Sequence, residues 1–398
     1  MIPGSSDLPP PSADAIAHSD RLCACIEQEI LHHGGFISFA RYMELALYAP
    51  GLGYYSAGSA KLGAEGDFVT APEISPLFGH TLAQQISDLL SPDMPDVFEL
   101  GAGSGKLACD LLAELDSLGK LPAHYLILEP SAELRARQQK MLDARAPRHT
   151  GRVQWLDALP EKFCGTILAN EVLDALPVHL VVWRGGVDGG IFERCVVRSS
   201  PYRFAWEDRP AAGAVLEAAT EIEDAIGALP AGSDYVSEIN LAAQSLVASL
   251  ASSLERGVIL FVDYGFPRRE YYHPQRSMGT LMCHYRHRAH GDPFYLPGLQ
   301  DITAHVDFTA VNDAATDAGL ACLGYATQAQ FLIDCGITEV LARVSPDDPA
   351  RYLPLASSAQ TLLSPSEMGE LFKVIAFGKG VDRTLRGFAS GDQRARLG

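Results

Sequence analysis

The run Val97-Phe98-Glu99-Leu100-Gly101-Ala102-Gly103-Ser104-Gly105 constrains the fold more than any other stretch of this chain. It reads as a short apolar strand that ends on an acid and opens directly onto three alternating glycines. Without a Cβ at 101, 103 and 105 the backbone turns sharply and passes close to a ligand, and the helix that follows aims its free N–H groups at the same spot. That helix is legible, because Leu107, Leu111, Leu112, Leu115 and Leu118 share one face before Gly119 ends it.

The spacing bears on which ligand. A dinucleotide fingerprint is G-x-G-x-x-G with an acid about 20 residues later for the ribose. Here Lys106 stands where the third glycine belongs, and the next acid at a strand end is Glu129, after His124-Tyr125-Leu126-Ile127-Leu128. S-adenosylmethionine has no pyrophosphate to cradle, only a ribose, an adenine and an amino-acid tail. An E-x-G-x-G-x-G loop followed by a strand ending in Glu129 resembles motif I and the ribose-binding acid of class I methyltransferases. A nicotinamide-dependent oxidoreductase is the rival that Lys106 and the late Glu129 disfavour.

The chain's 398 residues, 47% of them apolar, exceed a minimal α/β domain and call for a second lobe. A formal net charge of −18 argues against a nucleic-acid footprint, which needs clustered Lys and Arg, and suits a cationic partner better. Eight scattered cysteines without a Cys-x-x-Cys read as reduced thiols, so a cytoplasmic location is expected. No apolar run approaches the roughly 20 residues that span a bilayer. The oligomeric state is not legible.

Residues 1–19, rich in Pro, Ser and Ala, read as a disordered lead-in, and 20–92 as a helical segment with a lid-like loop at 66–76. Strand 96–100, helix 106–118, strand 124–129, helix 131–142, strand 152–156 and strand 165–170 then alternate as a parallel, doubly wound sheet. Residues 178–256 read as an insertion, a β-hairpin about the 185–190 turn followed by alanine-rich helix over 211–256. Strands at 257–263 and 371–377 return to the sheet. The core is therefore 93–177 with 257–380.

Five blocks carry a resemblance over 35–378. They are Ala46 to Tyr55 (ALYAPGLGYY), Gly66 to Ser75 (GDFVTAPEIS), Asn170 to Val178 (NEVLDALPV), Val262 to Gly265 (VDYG) and Asp301 to Phe308 (DITAHVDF). In this order they resemble the MidA family, bacterial relatives of the mitochondrial complex I assembly methyltransferase. The resemblance implies a class I methyltransferase Rossmann-like fold, S-adenosylmethionine as cofactor, and a protein substrate with an accessible arginine, linked to assembly of the respiratory NADH dehydrogenase. A small-molecule acceptor, or an assembly factor that binds the cofactor without turnover, are the alternatives.

Methyl transfer from a sulfonium is an in-line displacement, so the protein mainly aligns a nucleophile and excludes water. Beyond the carboxyl ends of the strands, Glu99, Gly101, Gly103 and Gly105 are expected to hold the methionine end, Glu129 the ribose and Asp157 the adenine. Asp67 and Thr70, with Glu73, are candidates from the lid-like loop. Asn170, Glu171 and Asp174 leave the fourth strand where acceptor-facing groups stand, and carboxylates there can orient a guanidinium by charge-assisted hydrogen bonds. His305 is a further candidate for shaping the acceptor site. His284, His287 and His290 do not complete a metal-ligand set and no metal is expected; with Arg276, Arg286 and Arg288 they form the most basic stretch of the chain.

Overall fold

The computed structural model describes residues 8–56, 70–186, 189–227, 229–230 and 232–398. Its centre is an eight-stranded sheet: β1 (Asp96–Leu100), β2 (Tyr125–Leu128), β3 (Val153–Leu156), β4 (Phe163–Asn170), β5 (Leu254–Phe266), β6 (Ala321–Thr327) and β7 (Phe372–Lys379), with the two-residue strand Val306–Asp307 added alongside the end of β5. The spatial order is β6-β7-β5-β4-β1-β2-β3, with β1 to β5 parallel and β7 antiparallel to both its neighbours. The order doubles back beside β1, and this is the topological switch point at which doubly wound sheets bind ligands. Register sharpens the argument. Leu100 pairs with Leu128 on one side and Ala169 on the other, and Val262 pairs with Asn170. The residues that leave three of these strands, Gly101, Glu129 and Glu171, therefore emerge side by side, with Asp263 next to them inside β5.

Both faces of the sheet are covered. One packs against α4 (Pro76–Leu89) and α5 (Lys106–Ser117) through Leu82, Ile86, Leu111 and Leu115; the other packs against α8 (Leu241–Ser253) through Val247 and Leu250. Strands buried on both faces read as continuous apolar runs such as Val258 to Val262, which is why they were legible.

The second lobe is a five-stranded antiparallel sheet made from two distant stretches. Residues 179–184, 190–200, 203–210 and 234–239 supply four strands, and Phe36–Ser38 adds the fifth by pairing with 195–197. Helices α1 (Ala13–His32) and α2 (Phe39–Tyr48) cover one face with Leu22, Ile26, Tyr42 and Met43; α7 (Gly213–Ile226) covers the other.

Two boundaries and one stretch of the core differ from expectation. The lead-in expected to reach residue 19 gives way earlier, since Ser12 accepts the Ala15 N–H at 3.2 Å and α1 starts at Ala13. The insertion expected over 178–256 ends at Asn240, because α8 belongs to the core, and the alanine-rich stretch contains the strand Asp234–Ile239. Within 257–380 the structure adds a small three-stranded sheet (282–285, 288–290 and 301–303) and, where the sequence marks no element, β6 with the helices around it.

Candidate active site

The glycine loop is held in a shape that side chains would spoil. Gly101 has φ +66°, and a Cβ there would lie 2.8 Å from Val172 Cγ2. Gly105, at φ +83°, stands at the start of α5 and has no side chain to cap it, though the Ser104 hydroxyl accepts the Lys106 N–H at 3.3 Å. The loop is fastened by Gln138, a fully buried residue of α6 (Ala132–Arg145). Its amide N–H donates to Gly103 O at 3.1 Å and to Glu129 at 3.3 Å, while its oxygen accepts the Trp155 indole N–H at 2.7 Å. Glu129 also accepts the Ser131 N–H at 3.0 Å, and burial raises its carboxyl above the ordinary range. Glu99 accepts the Tyr125 hydroxyl at 2.6 Å, and burial pushes it up to about 7.

Lys106, the residue in place of a third glycine, has a definite task. Its ammonium donates to the Pro72 carbonyl and pairs with Asp110 at 2.9 Å, fastening the short helix α3 (Ala71–Ile74) to α5. Glu73 of α3 accepts the Ser104 hydroxyl, so α3 also touches the glycine loop.

On the other side of Gly101 the chain leaves β4 through Glu171, whose φ of +53° is left-handed and whose N–H donates to Val262 O at 2.8 Å. One carboxyl oxygen, Oε1, accepts the Ala71 N–H at 3.3 Å and the Asn170 amide at 3.2 Å; Oε2 is buried without a partner. Asp174 repeats the pattern. Its Oδ2 accepts the Tyr264 hydroxyl at 2.6 Å and its Oδ1 is buried and unpaired, as is Asn170 Oδ1. Asp263 fixes the turn by accepting the Leu173 and Asp174 N–H groups at 2.9 and 3.3 Å. Burial and mutual repulsion raise all three carboxyls, Glu171 to about 8.

These two halves line one cavity of about 790 Å³, within the range of pockets that enclose small ligands. Seven acids line it, namely Glu73, Glu99, Glu129, Glu133, Glu171, Asp174 and Asp301, and among its described lining residues there is no Lys, Arg or His. Tyr48, Tyr54 and Tyr55, from the stretch that follows α2, form a further part of the wall.

Of the candidates named from sequence, Glu99, Gly101, Gly103, Glu129, Thr70, Asn170, Glu171 and Asp174 line this cavity, and Gly105 supports it from the head of α5. Asp157 does not join them: its side chain is 86% exposed and paired with Arg135, which turns back over the end of β2. Asp67 lies outside the described residues. Thr70 precedes α3, but its hydroxyl makes no capping bond. His305 stands behind the wall rather than in it, stacked on Phe266 and edge-on to Tyr264, where burial and the charges of Arg276 and Lys373 lower it to about 4. His284 and His290 face each other's strands in a hairpin whose turn holds His287, and among the described residues no group of three or more His, Cys, Asp or Glu could hold a metal ion. Of the basic stretch, Arg276 donates to the nearby Glu270 and Tyr271 carbonyls and Arg286 to Pro10 O, ahead of α1. Gln138, Tyr264, Asp263 and Asp301 were missed as site residues; the Val262 to Gly265 and Asp301 to Phe308 blocks held the signal for the last three. No helix among the described residues is long and apolar enough to cross a membrane.

Comparison with known proteins gives a consistent picture. Residues 77–326 match the model of a family described as S-adenosyl-L-methionine-dependent methyltransferases. A Burkholderia thailandensis protein crystallised with S-adenosyl-homocysteine is 51% identical and superposes with a TM-score of 0.92, covering 98% of this chain and 100% of that one. The protein arginine methyltransferase NDUFAF7 of Danio rerio mitochondria is 30% identical over 367 residues, 85% of this chain and 82% of the relative. Its Drosophila melanogaster homologue is 29% identical over 414 residues, 94% and 89% of the two chains. The bare cradle at Gly101 and the carboxylate of Glu129 beside it fit the adenosyl group that the Burkholderia structure holds as S-adenosyl-homocysteine.

Proposed function

The chain belongs to the S-adenosyl-L-methionine-dependent methyltransferase family whose model it matches, and from that premise we propose that its methyl acceptor is an arginine side chain of a protein. The observation that carries this reading is the set of unpaired buried acceptors, Glu171 Oε2, Asp174 Oδ1 and Asn170 Oδ1, on one short segment of a cavity whose charged lining residues, among those described, are all acidic. A buried acceptor without a donor costs about 1–3 kcal/mol. Three together are tolerable where a ligand rich in N–H donors completes them, and a guanidinium offers five in a planar fork and no acceptor.

The cofactor supplies a methyl group on a sulfonium. Glu129 would hold the ribose hydroxyls, and the Gly101 to Gly105 loop with Glu99 and Glu73 the methionine end, whose ammonium suits carboxylates. Glu171 and Asp174 orient the guanidinium by charge-assisted hydrogen bonds and draw its positive charge away from the reacting nitrogen. Glu171 takes up the proton that this nitrogen sheds, a role suited to a carboxyl raised to about 8. The walls exclude water from the transfer.

The test compares the methyl-proteomes of cells with and without the gene, alongside radiolabel transfer in lysate. Loss of methylarginine from a defined protein supports the reading, and a subunit of the respiratory NADH dehydrogenase is the acceptor the family resemblance favours. Label entering only the low-mass fraction refutes it in favour of a small-molecule acceptor. Cofactor binding with no label in either fraction favours an assembly factor.

A further inference from the structure

Lys106 takes the place of a dinucleotide loop's third glycine, yet its ammonium reaches α3 rather than the loop. The residue is 9% exposed, and Asp110, one turn along α5, accepts from the same ammonium at 2.9 Å. The group it reaches has a particular need of a donor. In a continuing helix the Pro72 carbonyl would receive the N–H of the residue four later, and that residue is Pro76, which has none. Lys106 supplies the missing donor and pins α3 at Pro72. The next residue, Glu73, accepts the Ser104 hydroxyl, so two successive residues of α3 are tied to the end of the glycine loop and the head of α5.

The residue before Pro72 touches the other half of the site. The Ala71 N–H donates to Glu171 Oε1 at 3.3 Å, joining segments 100 residues apart. The Asn170 amide donates to the same oxygen at 3.2 Å, and Oε2 has no partner. The left-handed backbone of Glu171 fixes where its side chain starts; among the described residues, these two donors fix where its carboxyl ends. A chain of contacts therefore runs from Asp110 through Lys106, Pro72 and Ala71 to Glu171.

We propose that Lys106 is a positioning residue for Glu171: by holding Pro72 it keeps the Ala71 N–H on Oε1, so that Oε2 is the oxygen left for the acceptor. This rests on the reading of Glu171 as the carboxyl that orients the acceptor and takes up its proton. The residue that sets this loop apart from a dinucleotide loop then also joins the donor's half of the site to the acceptor's. A measurable consequence follows from the sign of the contact. An N–H donated to a carboxylate favours its ionised form, so the Ala71 bond works against the burial that raises Glu171 to about 8. Loss of the bond moves Glu171 further up.

The test is an NMR pH titration of the full-length protein, isotope-labelled at its glutamate carboxyl carbons and saturated with S-adenosyl-homocysteine. The Glu171 signal is assigned by its absence in Glu171→Gln. Lys106→Met combined with Asp110→Leu removes the tether without changing net charge, and apolar residues in place of a buried ion pair are commonly tolerated. Ala71→Pro removes the N–H alone, at the first position of α3, where proline fits a helix. Each should raise the Glu171 midpoint by about one pH unit over wild type, the effect of one hydrogen bond to a charged group. Circular dichroism reports the fold, and Ala71→Pro decides the matter if the double variant does not fold. A midpoint unmoved in either folded variant overturns the proposal; if S-adenosyl-homocysteine affinity falls at the same time, Lys106 serves the cofactor loop alone. A Glu171→Gln variant that transfers radiolabel in lysate as well as wild type overturns instead the reading of Glu171 on which the proposal rests.

Discussion

Glu171 combines two costs at one residue, and they can be separated by substitution. Its left-handed backbone, φ +53°, costs a residue with a Cβ roughly 1–2 kcal/mol relative to the ordinary helical region. Its carboxyl is raised from 4.5 to about 8, so the folded protein holds this proton more tightly than the unfolded chain. The sign follows by linkage: stability falls as pH rises from about 4.5 to about 8 and is flat beyond. At about 1.4 kcal/mol per unit, the span from pH 5 to pH 8 corresponds to at most about 4 kcal/mol. Partial solvent access and relief shared with Asp174 and Asp263 reduce this to about 2–3 kcal/mol. Glu171→Ala removes the carboxyl but keeps the Cβ, whereas Glu171→Gly removes both. In urea titrations, both variants should therefore gain about 2–3 kcal/mol on wild type between pH 5 and pH 8. At any one pH the glycine variant should exceed the alanine variant by about 0.5–1 kcal/mol, despite the larger backbone entropy glycine loses on folding. Methyl transfer should be lost in both. Wild-type and variant stabilities that run parallel with pH, or an alanine variant as stable as the glycine one, would refute the reasoning.

Other consequences are as direct. Glu129→Ala should weaken S-adenosyl-homocysteine binding by about 10- to 100-fold in calorimetry, the worth of a charge-assisted ribose contact, whereas Asp157→Asn should change it less than about twofold. Gly101→Ala forces a Cβ to 2.8 Å from Val172 Cγ2 at φ +66° and should lower the same affinity at least about tenfold. In wild type kcat/KM should climb from pH 6 towards a plateau above about 8 as Glu171 ionises, and Glu171→Gln should flatten that limb in a pH-rate profile. Lys106→Met leaves Asp110, 5% exposed, with Arg145 at 3.6 Å as its remaining ion-pair partner among the described residues and should cost about 2–4 kcal/mol in denaturant unfolding.

The cofactor half of this site was legible because its signals are local. Glycine spacing, apolar strands and an acid at a strand end lie within about 30 residues of one another, and the alternation of strand and helix fixes which ends are adjacent. Asp157 shows the limit of that logic, since every strand-end acid looks alike until Arg135, a turn into the next helix, claims one of them. Gln138 was invisible for the opposite reason: a glutamine among Arg, Gln and Lys reads as helix surface, although tertiary packing buries it completely. Tyr55 and Asp301 meet across 246 residues, and no periodicity reports such a contact. The start of α1 was hidden by composition, because Ala13 to Ser19 is as compatible with a linker as with a helix until Leu22, Ile26 and Ile30 find the lobe's sheet.

That lobe's sheet has a consequence for synthesis. Phe36–Ser38 is an edge strand whose partner, Cys195–Val197, is made some 160 residues later, and the tyrosine wall that follows it waits further for Asp301. During translation the N-terminal helices thus emerge as an unpartnered amphipathic pair, and the glycine loop and β1 to β4 are all outside the ribosome before those helices have anything to dock on. An arrested chain that stops short of Asp301 therefore carries the glycine loop and the Asn170 to Asp174 segment while Tyr55 still lacks its carboxylate partner.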